Sequence, residues 1–425
     1  MKFYSIQDKL KSNYQLNVDS CTLRGTIKNT MKNNRTFLEK LLDGAEVEWK
    51  PLDEVANIVN NARKPVKSSS RVSGNIPYYG ANNIQDYVEG YTHEGEFVLI
   101  AEDGSASLEN YSIQWAVGKF WANNHVHVVN GKEKLNNRFL YHYLTNMNFI
   151  PFLAGKERAK LTKAKLQQIP IPIPPLSVQT EIVKILDALT VLTSELTSEL
   201  ILRQKQYEYY REKLLSFDSL ELSGVVVQWI KLIDLGELIR GNGLQKKDFT
   251  ETGVPAIHYG QIYTYYGTFA TKTKSFVSPE LAKKLKKVDC GDVVITNTSE
   301  NFEDVGKAMV YLGKEQAVTG GHATIFKPNH EKILSKYFVY LTQTSFFTNE
   351  KRKYAKGTKV IDVSATDMAK IILPIPPLEE QHRIVSILDK FETLTNSITE
   401  GLPLAIEQSQ KRYEYYRELL LNFKQ

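Results

Sequence analysis

Residues 172–187 read PIPPLSVQTEIVKILD and residues 374–389 read PIPPLEEQHRIVSILD; eleven of the sixteen positions are identical, at an offset of 202. A duplication of that quality limits the fold to two copies of one plan, and repeats are read before anything else. Downstream, YEYYREKLLSF (207–217) matches YEYYRELLLNF (413–423) at an offset of 206, so the second copy gained four residues between these anchors. Upstream the correspondence is weaker: VEWKPL (47–52) with VQWIKL (227–232), FVLIA (97–101) with DVVIT (292–296), and NNHVHVV (123–129) with GGHATIF (320–326). EKLL at 39–42 precedes the first globule much as EKLL at 212–215 precedes the second. The implied order is helix tail, globule, arm, globule, arm. A chain of that form can close into a pseudo-two-fold ring, its last helix standing where the first globule needs a partner.

The arms carry helical periodicity. In the first, Ile182, Ile185, Leu189, Leu192, Leu196, Leu200, Tyr207, Tyr210 and Leu214 fall mostly three or four apart; in the second, Ile384, Ile387, Phe391, Leu394, Ile398, Leu402, Ile406, Tyr413 and Tyr416 do so. So narrow an apolar stripe suits a coiled-coil seam, and in a ring the arms run antiparallel. The prolines forbid helix before Leu176 and Leu378, with Ser177 the expected N-cap of the first arm. Within that arm TSELTSEL (193–200) repeats four residues in tandem. Each unit adds roughly 6 Å of helix, so the repeat reads as a ruler. Gly401 and Pro403 predict a break in the second arm.

The globules mix β-type runs at 97–101, 125–129, 292–296 and 322–326 with helical runs at 141–144 and 337–341. They read as two small α/β (mixed) domains joined by the arms. The expected boundaries are an N-terminal extension at 1–34, a helix tail at 35–46, globules at 47–176 and 225–378, and arms at 177–224 and 379–425. Two cysteines in 425 residues exclude a disulfide framework or a four-cysteine zinc site and suit a reducing cytoplasm. No apolar run long enough for a signal peptide or a membrane span is seen.

Basic residues gather before each PIPPL: Lys156, Arg158, Lys160, Lys163 and Lys165 around Gly155, and Lys351, Arg352, Lys353, Lys356 and Lys359, with Thr358, around Gly357. The net charge of +6, from 54 basic and 48 acidic residues, permits nucleic-acid binding without demanding it. Lysines neutralise phosphates, while amide and hydroxyl side chains on loops reach base edges. Candidate groove-facing residues are therefore Gly80, Asn82, Asn83, Asp103 and Ser105 in the first globule. In the second they are Asn242, Gln245, Gln261, Tyr263, Asn297 and Ser299. His125 and His322 align, each opening a β-type run, and read as structural. The sequence contains no GxxxxGK[ST] loop, no N/D-P-P-aromatic tetrapeptide, no HExxH or CxxC spacing and no GxSxG elbow. A recogniser and scaffold fits this pattern; a coiled-coil adaptor whose globules bind proteins fits it too.

The two PIPPL motifs, each closing a globule and opening a long helix, together with TSELTSEL, resemble the specificity subunit of type I restriction–modification systems from about residue 35 onward. The resemblance implies two target recognition domains, each reading one half of a split site in double-stranded DNA, with antiparallel helices fixing the unread spacer. It implies no catalytic residue, metal or cofactor in this chain. The implied partners are two methyltransferase subunits, which bind S-adenosylmethionine and methylate adenine N6 after flipping the base, and two motor-nuclease restriction subunits using ATP and Mg. Residues 1–34 and the Gly401–Pro403 break have no counterpart in that pattern.

Overall fold

Each PIPPL motif ends one strand and begins one helix in the computed structural model, which describes residues 36–155 and 159–424. Pro170–Ile173 pairs antiparallel with Glu48–Pro51, placing Trp49 opposite Pro172; Ile372–Ile375 pairs with Gln228–Lys231, placing Trp229 opposite Pro374. A two-stranded ribbon tolerates these prolines because each strand has a free edge that needs no N–H. The chain then turns into helix at Leu176 and at Leu378. Ser177 is therefore inside the first turn and not an N-cap; Pro175 O receives the first amides, those of Val178 and Gln179.

The first arm is one helix, Leu176–Leu214, 39 residues without Gly or Pro. The second is two helices, Leu378–Asn396 and Leu402–Leu421. Gly401 lies between them at φ +84°, where a Cβ would come within 2.5 Å of Thr393 O. The expected break is thus present, with Pro403 at the second position of the new helix, where its missing N–H costs nothing.

The described residues divide into two units. The first takes in residues up to Glu195 and from Ile406 onward; the second is Leu196–Ala405. In the first, Val178, Ile182 and Leu186 share a core with Leu420, Leu421 and Phe423, and Thr193 is hydrogen-bonded to Ser409 at 2.8 Å. The two helix segments are therefore antiparallel, and the end of the second arm serves the first globule. In the second unit, Tyr207 and Tyr210 lie against Phe391, and Leu215 shares a core with Ile384 and Leu388.

The globules share a sheet order. In the first it is Ala56–Ile58, Val126–Gly131, His93–Ala101, Ile113–Ala122, Ser73–Tyr79, extended by Ile84–Val88. In the second it is Gly236–Arg240, Ala323–Pro328, Val293–Thr296, Ala308–Tyr311, Phe269–Ala270. The pairings among those first five strands are antiparallel except the last, which is parallel in both. The second globule adds a four-stranded sheet, Ser275–Val277, Val254–Ile257, Ala317–Thr319 and Lys286–Val288.

Two details differ from the sequence reading. The EKLL at 39–42 lies in a short helix, Phe37–Leu42, ended by Asp43 and Gly44. Its counterpart is Phe217–Leu222 before Gly224, not the EKLL at 212–215, which belongs largely to the arm. Both helices start 12 residues before a matched tryptophan, Trp49 or Trp229. The segment carrying Gln261 and Tyr263, expected to be a loop, contains a helix, Tyr259–Thr264, because the His258 imidazole caps Gly260 N. The expected extension at residues 1–34 lies outside the described residues.

Candidate nucleic-acid interface

Three segments meet at one end of the central strand in each unit. In the first, Glu102 N donates to His125 O and Leu161 N donates to Glu102 O, both at 2.8 Å. In the second, Asn297 N donates to His322 O at 2.8 Å and Val363 N to Asn297 O at 2.9 Å. A glycine turn leads into the third segment. Ala154 and Lys160 exchange backbone hydrogen bonds around Gly155, as Lys356 and Asp362 do around Gly357. Both glycines have positive φ, +89° and +101°. At Gly357 a Cβ would also lie 2.0 Å from Val360 O, so only glycine fits. A capped helix then begins in each: Thr162 accepts from Lys165 N, Ser364 from Asp367 N.

Most sequence candidates lie on these loops, but their side chains divide between exposed and committed. In the first globule Gly80, Asn82 and Asn83 form the turn before Ile84–Val88. Asn82 donates to Gly104 O and accepts from Ala106 N, strapping this turn to the strand exit. Ser105 holds the same loop by donating to Ser107 O and accepting from Ser112 N. Asp103 is paired with His125, and both side chains are well exposed. Lys160 reaches Glu102 at 2.9 Å, and Lys163 is exposed. Lys156 and Arg158 lie outside the described residues.

In the second globule Asn242 donates to Lys284 O and accepts from Lys286 N, joining two loops. Gln245 caps the turn at Lys246–Asp248. Thr358 and Lys359 are exposed; Lys356 is exposed while paired with Asp367, and Lys353 pairs with Glu350. Tyr263 is half-buried beside Tyr259.

Four expectations need correction. Asn297 is fully buried, its Oδ1 accepting from Thr324 Oγ1 at 2.7 Å, so its side chain faces the core. Ser299 is buried in a short strand paired with Ile361–Asp362. Gln261 spends its amide on Ser275 Oγ at 2.6 Å and closes a capping box with His258. Lys351 is 4 % exposed and donates to Phe302 O and Val305 O, so it is no phosphate contact. Conversely, five exposed lysines were passed over: Lys246, Lys247, Lys283, Lys284 and Lys286. The signal was present as KK pairs, but the sequence does not show that the Asn242 bridge and the packing of Leu244 with Leu285 bring their two loops together.

Beneath the two faces the chemistry differs. Glu102, 15 % exposed, binds Arg63 at 2.7 Å and Lys160 at 2.9 Å, with His127 Nδ1 at 3.7 Å. Burial pushes its carboxyl up, but the hydrogen bonds from Arg63 and Lys160 outweigh this and hold it below the ordinary range. His127 is fully buried and burial pushes its pKa down, so its imidazole is neutral and accommodates Leu161 O and Asn60. The second face replaces this charged floor by the neutral Asn297–Thr324 pair, leaving Asn297 Nδ2 with no hydrogen-bond partner among the described residues.

A sequence profile of the type I restriction modification DNA specificity domain matches residues 45–203 and 226–408, one match per repeat. A putative type I restriction enzyme specificity subunit of Haemophilus influenzae is 64% identical over 406 residues, covering 92% of this chain and 100% of that protein. A type I restriction enzyme specificity subunit of Escherichia coli is 32% identical, covering 91% and 97%. Among solved structures, a type I S subunit from M. genitalium shares the fold at a TM-score of 0.57 and 14% identity, covering 90% of this chain and 98% of that one. Two matched globules with neighbouring arms, and specificity subunits as relatives along nearly the whole length, place the chain: it belongs to the type I restriction–modification DNA specificity family, the non-catalytic DNA-recognition components of those systems.

Proposed function

We propose that residues 47–176 and 225–378 are two target recognition domains, each reading one half of a bipartite site in double-stranded DNA. The arms at 177–224 and 379–425 set the unread spacer and dock two methyltransferase subunits for adenine N6 methylation. In the full restriction complex, two motor-nuclease subunits join them in the cytoplasm. S-adenosylmethionine, ATP and Mg belong to those partners. The observation carrying this reading is the repeated face. Strand exit, histidine turn and glycine loop recur in both units with the same backbone bonds but different side chains, as two readers of different half-sites require. Backbone contact falls to Lys160, Lys163, Lys356 and Lys359, and base reading to the exposed side chains beside them. The chain should be co-expressed with the methyltransferase subunit of its own system and the modified adenines mapped by long-read sequencing. A two-part motif is expected, and exchanging residues 227–371 for another reader should change one half only. A change in both halves, or wild-type complex with no salt-dependent duplex binding, overturns the reading in favour of a protein-binding adaptor.

A further inference from the structure

His125 and His322 occupy one position in their respective units. Each sits in the turn before the strand that flanks the central strand, and each is fixed by its own carbonyl, which accepts from Glu102 N or Asn297 N at 2.8 Å. Each ring is then tied through Nδ1 to the second residue past the central strand: His125 to Asp103 Oδ1 at 2.5 Å, His322 to Thr298 Oγ1 at 2.8 Å. Both histidines are exposed, and among the described residues neither Nε2 has a hydrogen-bond partner. Both rings are hydrogen-bonded, as the sequence suggested, and His322 lies against Tyr259, but neither histidine is buried. Each unit thus presents one oriented imidazole nitrogen to solvent, beside the glycine loop that carries its lysines.

We propose that His125 and His322 are specificity-determining residues, each reading one base edge of duplex DNA through Nε2; this rests on the two-reader function above. A phosphate does not suit the first position, because Asp103 places a carboxylate against the same ring. A base edge is neutral and offers directional donors and acceptors. The partner atom decides what each ring can read. Asp103 accepts, so His125 Nδ1 donates, and in the neutral form of the ring Nε2 is then an acceptor, matching the exocyclic amino groups of adenine or cytosine. Thr298 Oγ1 can donate or accept, so His322 can adopt either tautomer and is not confined to amino groups. The anchored ring and strapped loops give the pre-organisation that a base contact needs.

The test uses the chain assembled with its methyltransferase subunit and a duplex library randomised across both half-sites, with methylation read by sequencing. His125→Ala and His125→Gln should relax discrimination at one base pair of one half-site by about tenfold, leaving the other half-site unchanged. His322→Ala and His322→Gln should do the same in the other half. Asp103→Asn, whose amide can donate to Nδ1 as well as accept from it and so no longer fixes the tautomer, should shift the preferred base at the same pair as His125→Ala. Unchanged profiles, or a loss spread evenly over all base pairs in the glutamine variants as well, overturn the inference. If the wild-type complex gives no two-part motif, the functional reading falls and this inference with it. A wild-type motif that survives every histidine variant sinks the inference alone.

Discussion

Lys351 closes an eight-residue helix, Ser345–Arg352, four positions after Phe347, and both point inward. Its ammonium donates to Phe302 O and Val305 O and lies 4.7 Å from the centre of the Phe302 ring. Burial dominates its titration and pushes the amine down to about 8. The unfolded chain keeps that proton to the ordinary lysine value of about 10.4. Between these two values the unfolded state holds more protons, so stability rises with pH across that window. Below about 8 the full cost of the buried charge is felt. From pH 7.5 to 9.5, wild type should gain on the order of 1 to 2 kcal/mol relative to Lys351→Met, measured by urea unfolding at each pH. Equal slopes would show the amine to be solvated. The sequence displayed the basic run but not the facing of its members. The i, i+4 pairing of Phe347 with Lys351 is the local sign that one lysine turns inward.

The PIPPL repeats show why elements were easier to read than their connections. Gln179 and Gln381 are the eighth residues of the two motifs, and both are fully buried. Gln179 accepts from Asn136 N and donates to Lys134 O and Pro174 O; Gln381 accepts from Leu334 N and donates to Lys332 O and Pro376 O. One amide thus fastens the start of an arm to the loop before a globule helix and to the proline turn. An aspartate on each arm adds a second tie. Asp187 binds Arg138 and His142, and Asp389 binds Lys336 and Tyr340. Gln179→Leu takes this amide from three backbone groups, one of them buried, and should cost roughly 2 to 4 kcal/mol in urea unfolding, with Gln381→Leu matching it. A loss under about 0.5 kcal/mol in both would mean that water replaces the amide. Helix starts, the Gly401 break and four strands were visible because they depend on nearby residues: prolines, glycine, alternating apolar side chains. The strand order was not, since it also depends on pairings between segments far apart in sequence, such as Gly236 with Pro328, and neither was the burial of Asn297, which Thr324 determines.

At the scale of the whole chain, the repeat TSELTSEL carries the boundary between the two units, Glu195 ending one and Leu196 beginning the other. Linear segmentation into globules and arms misses this division because each unit recruits the beginning of one arm and the end of the other. The helix runs through the boundary without interruption; Thr193 is hydrogen-bonded to Ser409 within the first unit, and Leu196 is buried. Removing Thr197–Leu200 would keep the helical register close, since four residues make one turn plus roughly 40°, and would shorten the rod by roughly 6 Å. That length corresponds to about two base pairs at 3.4 Å each. If the helix is a ruler, the deletion should change the number of unread base pairs in the methylated motif while leaving both half-sites as they were. Long-read mapping of modified adenines reads both outcomes at once. The two failures are distinct: an unchanged spacer in an active complex would show that the arm does not measure distance, whereas altered half-sites would show that the readers depend on the arm for their own structure.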